Sequence, residues 1–311
     1  MAQALPMEQS NYHTPVLLQD CIKGLNINPV GTYVDVTFGG GGHSKEILKN
    51  LSSGKLIAFD QDDAALQNKP DDERLVLVRQ NFRYLKSNLQ LLNAVPVDGI
   101  LADLGVSSHQ FDEAERGFST RFDAQLDMRM DQNQHLTAKD VLNGYEEHQL
   151  YRVFAEYGEL DNARKLAYLI CTTRKDKAIE TGNELKELAK KFARRGKENQ
   201  YFAQLFQALR IEVNNELDVL KELLVQSEEV LRPGGRLVVI AYHSLEDRLV
   251  KNFIRSGKFE GDAEKDFYGN SLTPFRLITR KPIVPSEAEM DQNSRARSAK
   301  LRIAEKLEMK S

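Results

Sequence analysis

The feature that most constrains this fold is the alternation of strand-like and helix-like patterns over the first 105 residues. Short apolar runs bounded by Gly, Pro or Asp recur there, at 33–39, 55–60, 74–82 and 97–105. Uninterrupted apolar runs of this length are typical of strands buried on both faces of a parallel sheet. Helix-spaced leucines lie between them at 62–68 and 84–93. The order β-α-β-α-β-α-β predicts an α/β fold built on an open, doubly wound sheet.

The middle third of the chain has a different pattern. From about Phe111 to Gln204 no strand-like run of the same kind occurs, and helical spacing returns in 148–158, 163–174 and 183–195. Thr181, followed three residues later by Glu184, matches the capping box that begins many helices. We therefore predict an inserted all-helical domain.

The α/β pattern resumes after this insertion. One amphipathic segment at 205–231 predicts a single long helix, 235–244 predicts another buried strand, and a helix follows from Leu245. Residues 257–274 are rich in Gly, Asp and Lys and predict an exposed loop. The predicted organisation is a sheet domain in two parts, 1–111 and 206–311, separated by the helical insertion at 112–205.

Four consecutive glycines, Gly39 to Gly42, follow the first predicted strand. In doubly wound sheets, ligands bind beyond the carboxyl ends of the strands, where a glycine turn lets the backbone approach and a helix N-terminus offers free N–H groups. This turn lacks both the Lys-Ser/Thr pair of a P-loop and the G-x-G-x-x-G pattern. By itself it is compatible with a phosphate, a dinucleotide, S-adenosylmethionine or a simple tight turn.

The ends of the next strands narrow these alternatives. Asp60 ends the second strand, about 20 residues beyond the turn, where an acidic side chain can accept hydrogen bonds from a ribose. Phe82 follows the third strand and could stack on a base, and Asp103 follows the fourth. A glycine turn with a ribose acid indicates an adenosine-containing cofactor. The structural alternatives are a helix N-cap at Asp60 and a plain core position at Phe82.

The overall charge does not indicate a nucleic-acid-binding protein. The chain has 43 basic and 46 acidic residues, a net charge of −3, so any RNA binding must depend on local basic patches. Two segments qualify, KKFARRGK at 190–197 and NSRARSAKLR at 293–302. Either could also be an ordinary solvated surface.

Several other classes of protein are disfavoured. No run approaches the roughly 20 apolar residues of a membrane span, and the N-terminus has no signal-peptide pattern, so we expect a cytoplasmic location and no membrane partner. Cys21 and Cys171 are far apart and have no Cys or His neighbours at zinc-ligand spacing. We predict that both are reduced packing residues and that the chain has no metal site.

Ten longer motifs carry a family resemblance. In chain order they are TPVLL, VTFGGGGHS, FDQD, NF, LADLGVSS, GFS, LDMRMD, FQALRIEVNNEL, LRPGGRLVVIAYHSLEDRLVK and NSRARSAKLR. From about residue 12 to 306 the chain resembles the RsmH family, also called MraW. This resemblance implies a class I, Rossmann-like fold and S-adenosylmethionine-dependent methylation of the N4 amine of a cytidine in the decoding region of 16S rRNA. It also implies a partner, 16S rRNA in the small ribosomal subunit, and leaves open a homodimer.

The resemblance implies specific site residues. The implied contacts with S-adenosylmethionine are Gly41, Gly42, His43, Asp60, Phe82, Asp103 and Gln110. Methyl transfer to an amine also needs a group that accepts the N–H, and the candidate catalytic residues at the strand ends are Asp103, His243 and Ser244. Ser244 could instead be the N-cap of the following helix with Asp247 at N3, and His243 could be a core histidine.

Two other functions share some of these features. A nicotinamide-dependent dehydrogenase would use the same glycine turn and Asp60, although no hydride-transfer partner is recognisable in the sequence. A noncatalytic ribosome-binding protein could retain the fold without the activity.

Overall fold

The computed structural model describes residues 15–106, 113–269 and 271–308. Its centre is a seven-stranded sheet in the order β3-β2-β1-β4-β5-β7-β6. The strands are β1 Thr32–Asp35, β2 Lys55–Asp60, β3 Leu75–Arg79, β4 Val97–Asp103, β5 Leu231–Ala241, β6 Phe275–Leu277 and β7 Lys300–Lys306. Strands β1 to β5 are mutually parallel, and β7 runs antiparallel to both β5 and β6.

Twelve α-helices lie within the described residues. They are α1 Leu18–Leu25, α2 Gly42–Asn50, α3 Asp63–Leu66, α4 Leu85–Leu91, α5 Ala138–Gly144, α6 Glu147–Arg152, α7 Ala163–Thr173, α8 Gly182–Ala189, α9 Glu198–Asn214, α10 Glu216–Val230, α11 Ser244–Ser256 and α12 Glu287–Gln292. The capping box of Thr181 and Glu184 begins α8 as predicted. None of the described helices is both long and apolar enough to cross a membrane.

Successive residues of each central strand belong to different cores. Val34 packs in a core with side chains of α4, α10 and α11, whereas its neighbour Tyr33 packs in a second core with α1 and α2. This alternation follows from the two-residue period of a strand. Helices therefore cover both faces, and the predicted doubly wound α/β fold is confirmed. The strand order reverses between β1 and β4, which places a ligand-binding crevice at their carboxyl ends.

The helical insertion has its own hydrophobic core, formed by side chains of α5 to α9. Residues on both sides of the predicted 205/206 boundary pack into it, because that boundary lies inside α9. Leu205, Leu209 and Val213 are all members of this core. We therefore infer that the insertion extends to Asn214.

The prediction of one helix over 205–231 is wrong. Helices α9 and α10 are separated at Asn215, whose φ of 51° is in the left-handed region and ends the first helix. Arg210 spans the break, donating from Nε and Nη2 to the two carboxylate oxygens of Glu216 at 2.8 and 2.9 Å.

The C-terminal third also departs from the sequence expectations. Within the predicted loop at 257–274, Glu264–Lys265 and Ser271–Leu272 pair as a short antiparallel hairpin. The basic segment 293–302, one of the two candidate RNA-binding patches, leads into β7, an inner strand of the sheet. Arg302 in this strand is buried and donates to Asp247 at 2.6 and 3.1 Å. Part of the basic segment therefore belongs to the core.

Candidate active site

The glycine turn joins β1 to α2 at the carboxyl edge of the sheet. Gly39 and Gly41 have φ values of 51° and 72°, which glycine adopts without a steric penalty. Asp35 at the end of β1 fixes the turn: it accepts hydrogen bonds from Ser44 Oγ at 2.6 Å and from the backbone N–H of Thr37 at 3.1 Å. Burial raises the pKa of Asp35, and these hydrogen bonds partly oppose the rise. The first-turn N–H groups of α2, which an α-helix leaves without intrahelical partners, lie at this edge.

Packing explains the glycine at position 42. A Cβ atom on Gly42 would lie 2.2 Å from Cγ of Pro15. At Gly41 a Cβ would lie 2.9 Å from Cζ of Phe38. The absence of a side chain at these two glycines therefore lets Pro15 and Phe38 pack against the turn. Because glycine has no side chain, any contact of Gly41 or Gly42 with a ligand must be made by backbone atoms. The predicted cofactor contacts at both positions stay predictions.

Asp60 connects the end of β2 to the glycine turn. Its Oδ2 accepts from the N–H of Gly39 at 2.8 Å, and its Oδ1 accepts from the N–H of Asp62 at 2.9 Å. Each carboxylate oxygen has a further lone pair with which to accept a ribose hydroxyl. Burial raises the pKa of Asp60 to about 6, so the carboxyl group is still mainly ionised at neutral pH.

Phe82 begins a short 3₁₀ helix after β3 and packs, half-buried, against the core beneath the sheet edge. The preceding residue, Asn81, donates from Nδ2 to Gln61 Oε1 at 2.8 Å, which ties the ends of β3 and β2 together. Phe82 therefore lies at the same edge as Asp60, as a base-stacking residue requires, and its contact with a base stays a prediction. Gln110 lies outside the described residues.

Asp103, the last residue of β4, lies between two polar side chains. Its Oδ1 accepts from the Tyr242 hydroxyl at 2.7 Å, and its Oδ2 is 3.7 Å from Nδ1 of His43. The backbone N–H of Asp103 donates to Thr37 Oγ1 at 2.7 Å. Burial raises the pKa of Asp103, against the opposing effects of His43 and the Tyr242 hydroxyl. The structure thus brings together two residues predicted from sequence, Asp103 and His43, with Thr37 and Tyr242, which were not predicted.

His243 is the N-cap of α11. Its Nδ1 accepts from the N–H of Glu246 at 3.4 Å, and its Nε2 is 3.2 Å from Glu246 Oε1. Nδ1 is therefore used by the helix cap, whereas Nε2, although close to Glu246, is buried and makes no hydrogen bond with the described residues. The catalytic role predicted for His243 stays a prediction. Burial would raise the pKa of Glu246, but His243 and Arg210 lower it below the usual value.

Ser244 is the first residue of α11, so the alternative of an N-cap at Ser244 with Asp247 at N3 is wrong. Its hydroxyl donates to Glu159 Oε2 in the insertion at 2.8 Å, and Arg248 donates to the other oxygen of Glu159 at 3.0 Å. Ser244 thus contacts the helical insertion, whereas Asp103 contacts the glycine turn through His43.

Three side chains near β5 have the composition of a metal site. One ligand atom from each of Glu216, His243 and Glu246 lies within 4.8 Å of the others. However, the guanidinium of Arg210 bonds both oxygens of Glu216 and supplies the positive charge there. The spacing His243-x-x-Glu246 would have indicated a capping interaction from sequence, whereas the approach of Arg210 and Glu216 depends on the break at Asn215.

The segment 190–197 is a basic surface of the insertion. Its five basic side chains are exposed: Lys190, Lys191, Arg194, Arg195 and Lys197. Arg194 pairs with Asp161 at 3.3 Å and Lys190 with Glu187 at 3.6 Å. Such a surface can contact phosphates without sequence specificity.

The sheet is doubly wound, a glycine turn follows β1, and acidic side chains end β1, β2 and β4. Together with the comparison with known proteins, these features define the class of Rossmann-like methyltransferases. The profile of the MraW methylase family matches residues 10–307. The chain belongs to this family. Membership confirms the family resemblance, the fold class and S-adenosylmethionine as the cofactor, and it gives no support to the dehydrogenase or noncatalytic alternatives.

Relatives named as methyltransferases match over nearly their whole length. The chain is 60% identical over 297 residues to the ribosomal RNA small subunit methyltransferase H of Christiangramia forsetii, covering 95% of this chain and 98% of that protein. It is 56% identical over 300 residues to the protein of the same name from Bacteroides thetaiotaomicron, covering 96% and 99%.

Proposed function

We propose that this chain transfers a methyl group from S-adenosylmethionine to the N4 amine of a cytidine in 16S rRNA of the small ribosomal subunit. The relatives' names supply the small-subunit rRNA substrate. The observation that carries the choice of an amine acceptor is Asp103, a carboxylate at the end of β4 beside the glycine turn, which accepts from the Tyr242 hydroxyl at 2.7 Å and lies 3.7 Å from His43 Nδ1.

The residues at this edge fit the cofactor. Asp60 has unused acceptor capacity for the ribose hydroxyls, and the N-terminus of α2 suits the carboxylate of the methionine part. Phe82 begins the 3₁₀ helix after β3 at the same edge, which supports its proposed contact with the adenine. When bound, S-adenosylmethionine supplies an electrophilic methyl group, whose bond to sulfur breaks, with its electron pair remaining on sulfur, as the amine nitrogen forms its bond to carbon.

Asp103 has the chemical role of proton acceptor. The lone pair of a cytosine amine is delocalised into the ring, so the amine is a poor nucleophile until the N–H is held and the nitrogen rehybridises. An ionised carboxylate beside the amine accepts that N–H, takes the proton as the new bond forms, and returns it to solvent. Holding the two reactants in line supplies much of the remaining acceleration.

Binding of the RNA has an energetic cost, because the target base must leave its stack, at about a few kcal/mol. Contacts between phosphates and the exposed basic segment 190–197 offset this cost and make binding depend on salt. A homodimer and a cytoplasmic location stay predictions.

The direct test is transfer of labelled methyl to small subunits lacking the modification, followed by mapping of the label to a nucleotide. We expect one labelled cytidine carrying the methyl on N4, and loss of transfer in Asp103→Asn with the affinity for S-adenosylhomocysteine reduced less than tenfold. Label on another base or on the cytidine C5 would exclude the proposed reaction. Full activity of Asp103→Asn would remove Asp103 as the acceptor.

A further inference from the structure

Tyr242 is held at both ends beside Asp103. It follows β5, the parallel neighbour of β4, in which Asp103 pairs with Ile240. Its backbone N–H donates to Glu246 Oε2 at 2.9 Å, and its hydroxyl donates to Asp103 Oδ1 at 2.7 Å. Gly105, with φ of 102°, lets the chain after β4 pass the ring, since a Cβ there would lie 3.2 Å from Tyr242 Cδ2. Hydrogen bonds from its backbone and from its hydroxyl therefore hold Tyr242 beside Asp103.

The second oxygen of Asp103 faces His43 across a distance too long for a hydrogen bond. His43 Nε2 lies 3.1 Å from the carbonyl oxygen of Val16. Because a carbonyl only accepts, Nε2 carries a proton, and a neutral imidazole would then direct the bare lone pair of Nδ1 at Oδ2. Two acceptors 3.7 Å apart require that one of them be protonated or that a donor lie between them. A donor from the substrate would satisfy this arrangement.

The surroundings of Asp103 otherwise disfavour its charge. Burial, Asp35 and Glu246 all raise the pKa of Asp103, whereas His43 and the Tyr242 hydroxyl lower it. The Cys21 thiol of α1 is also buried nearby, and burial, with the Asp103 charge, raises its pKa well above the usual value, so it remains neutral. Burial, followed by Asp103, likewise keeps the Tyr242 hydroxyl protonated. The groups around this carboxyl are His43, Tyr242, Asp35, Glu246 and Cys21.

We propose that Tyr242 is a positioning residue for methyl transfer, because its hydroxyl occupies one oxygen of Asp103 and directs the other oxygen at the acceptor amine. This inference rests on the proposed function. The proton passes from the amine to Asp103, while Tyr242 keeps its own proton throughout.

The test is Tyr242→Phe, which removes only the hydroxyl. We expect the rate constant for methyl transfer at pH 7.5 to fall about tenfold, the size expected for one hydrogen bond to a charged group, with less than a twofold change in affinity for S-adenosylhomocysteine. The acidic limb of the pH–rate profile should move upward by about one unit, because the lost hydrogen bond stabilised the ionised form of Asp103. Purely structural damage would lower the rate without moving this limb.

A matched control is Tyr145→Phe, since the Tyr145 hydroxyl also donates to a carboxylate, Glu212, at 2.9 Å, but inside the insertion. Its rate and pH profile should equal those of the wild type. A double variant of Asp103→Asn with Tyr242→Phe should be no slower than Asp103→Asn alone, because Tyr242 acts through Asp103.

The outcomes separate the two proposals. If the wild-type protein modifies no small-subunit cytidine, the proposed function fails whatever the variants do. If the wild type is active and Tyr242→Phe has the same rate and pH profile as the wild type, the positioning role of Tyr242 is overturned while the function stands. The same holds if the effects of Asp103→Asn and Tyr242→Phe on the rate prove additive.

Discussion

The ribose contact predicted for Asp60 has a pH dependence that can be measured on the cofactor product alone. S-adenosylhomocysteine carries the same ribose, whose hydroxyls need an ionised carboxylate as acceptor. The pKa of Asp60 in the free protein is raised by burial to about 6. Two ribose hydrogen bonds stabilise the ionised form, so the pKa falls on binding. The affinity should therefore be close to its maximum at pH 7 and above, and should decrease as the pH falls through 6.

The magnitude follows from the fraction of ionised Asp60. With a pKa of about 6, roughly ten elevenths of the carboxyl groups are ionised at pH 7 and roughly one eleventh at pH 5. The dissociation constant should therefore be about tenfold higher at pH 5 than at pH 7. At pH 6, binding should release about half a proton from this group. Asp60→Asn removes the charge, and the affinity at pH 7.5 should fall roughly 10- to 100-fold, the range for hydrogen bonds to a charged group.

Isothermal titration calorimetry in buffers of different ionisation enthalpy measures both the affinity and the proton release. Asp60→Asn should lose the pH dependence between 5 and 7 and the associated proton. Asp63→Asn is the matched control, because Asp63 is exposed and pairs with Arg79 at 2.6 Å on the surface. If Asp60→Asn keeps a midpoint near pH 6 and its proton release, the titrating group is another residue and the argument about the ribose is refuted.

Three further predictions concern packing, an ion pair and RNA binding. Gly42→Ala should lower the stability by about 1–3 kcal/mol through contact with Pro15, measured by urea unfolding, whereas Gly144→Ala, with nothing within 4 Å of its Cβ, should not lower it; equal stability of the two variants would contradict the packing. Asp247→Asn should cost about 3 kcal/mol by leaving buried Arg302 without its carboxylate. Although burial opposes the shift, Arg302 lowers the pKa of Asp247. In the wild type the stabilisation from this ion pair is therefore present above pH 4 and is lost as the pH falls through the lowered pKa. If Asp247→Asn loses stability in acid as the wild type does, the expectation is contradicted. Replacing Arg195 and Lys197 together by Ala should reduce the slope of log affinity for small subunits against log salt concentration by roughly 1.5. The same change at Lys49 and Lys55, at the opposite edge of the sheet, should leave the slope unchanged. If the two double variants have the same slope, segment 190–197 is not part of the RNA interface.

Much of the sheet could be predicted because its strands are marked locally. The run at 55–60 is a strand over the same residues, and the runs at 74–82 and 97–105 contain β3 and β4. The glycine turn and the acids at the strand ends could be placed at one edge because parallel strands end together. Strand β7 escaped prediction since it reads KLRIAEK, a pattern more typical of a solvated segment. Its Arg302 and Lys306 are buried, and they pair there with Asp247 and Glu228, which are distant in sequence.

The sequence by itself determined the class of fold, the family and the edge of the sheet at which we propose that the cofactor binds, since periodicity, glycine placement and long motifs are properties of the chain read in order. Only the tertiary structure decided how the acidic residues are used. It placed the Tyr242 hydroxyl on Asp103 and turned Ser244 toward Glu159 of the insertion. These partners are up to 139 residues apart, and nothing local in the chain specifies such a pair. Their contacts depend on which strands become neighbours and on where the insertion packs, and both are consequences of burying the three hydrophobic cores together.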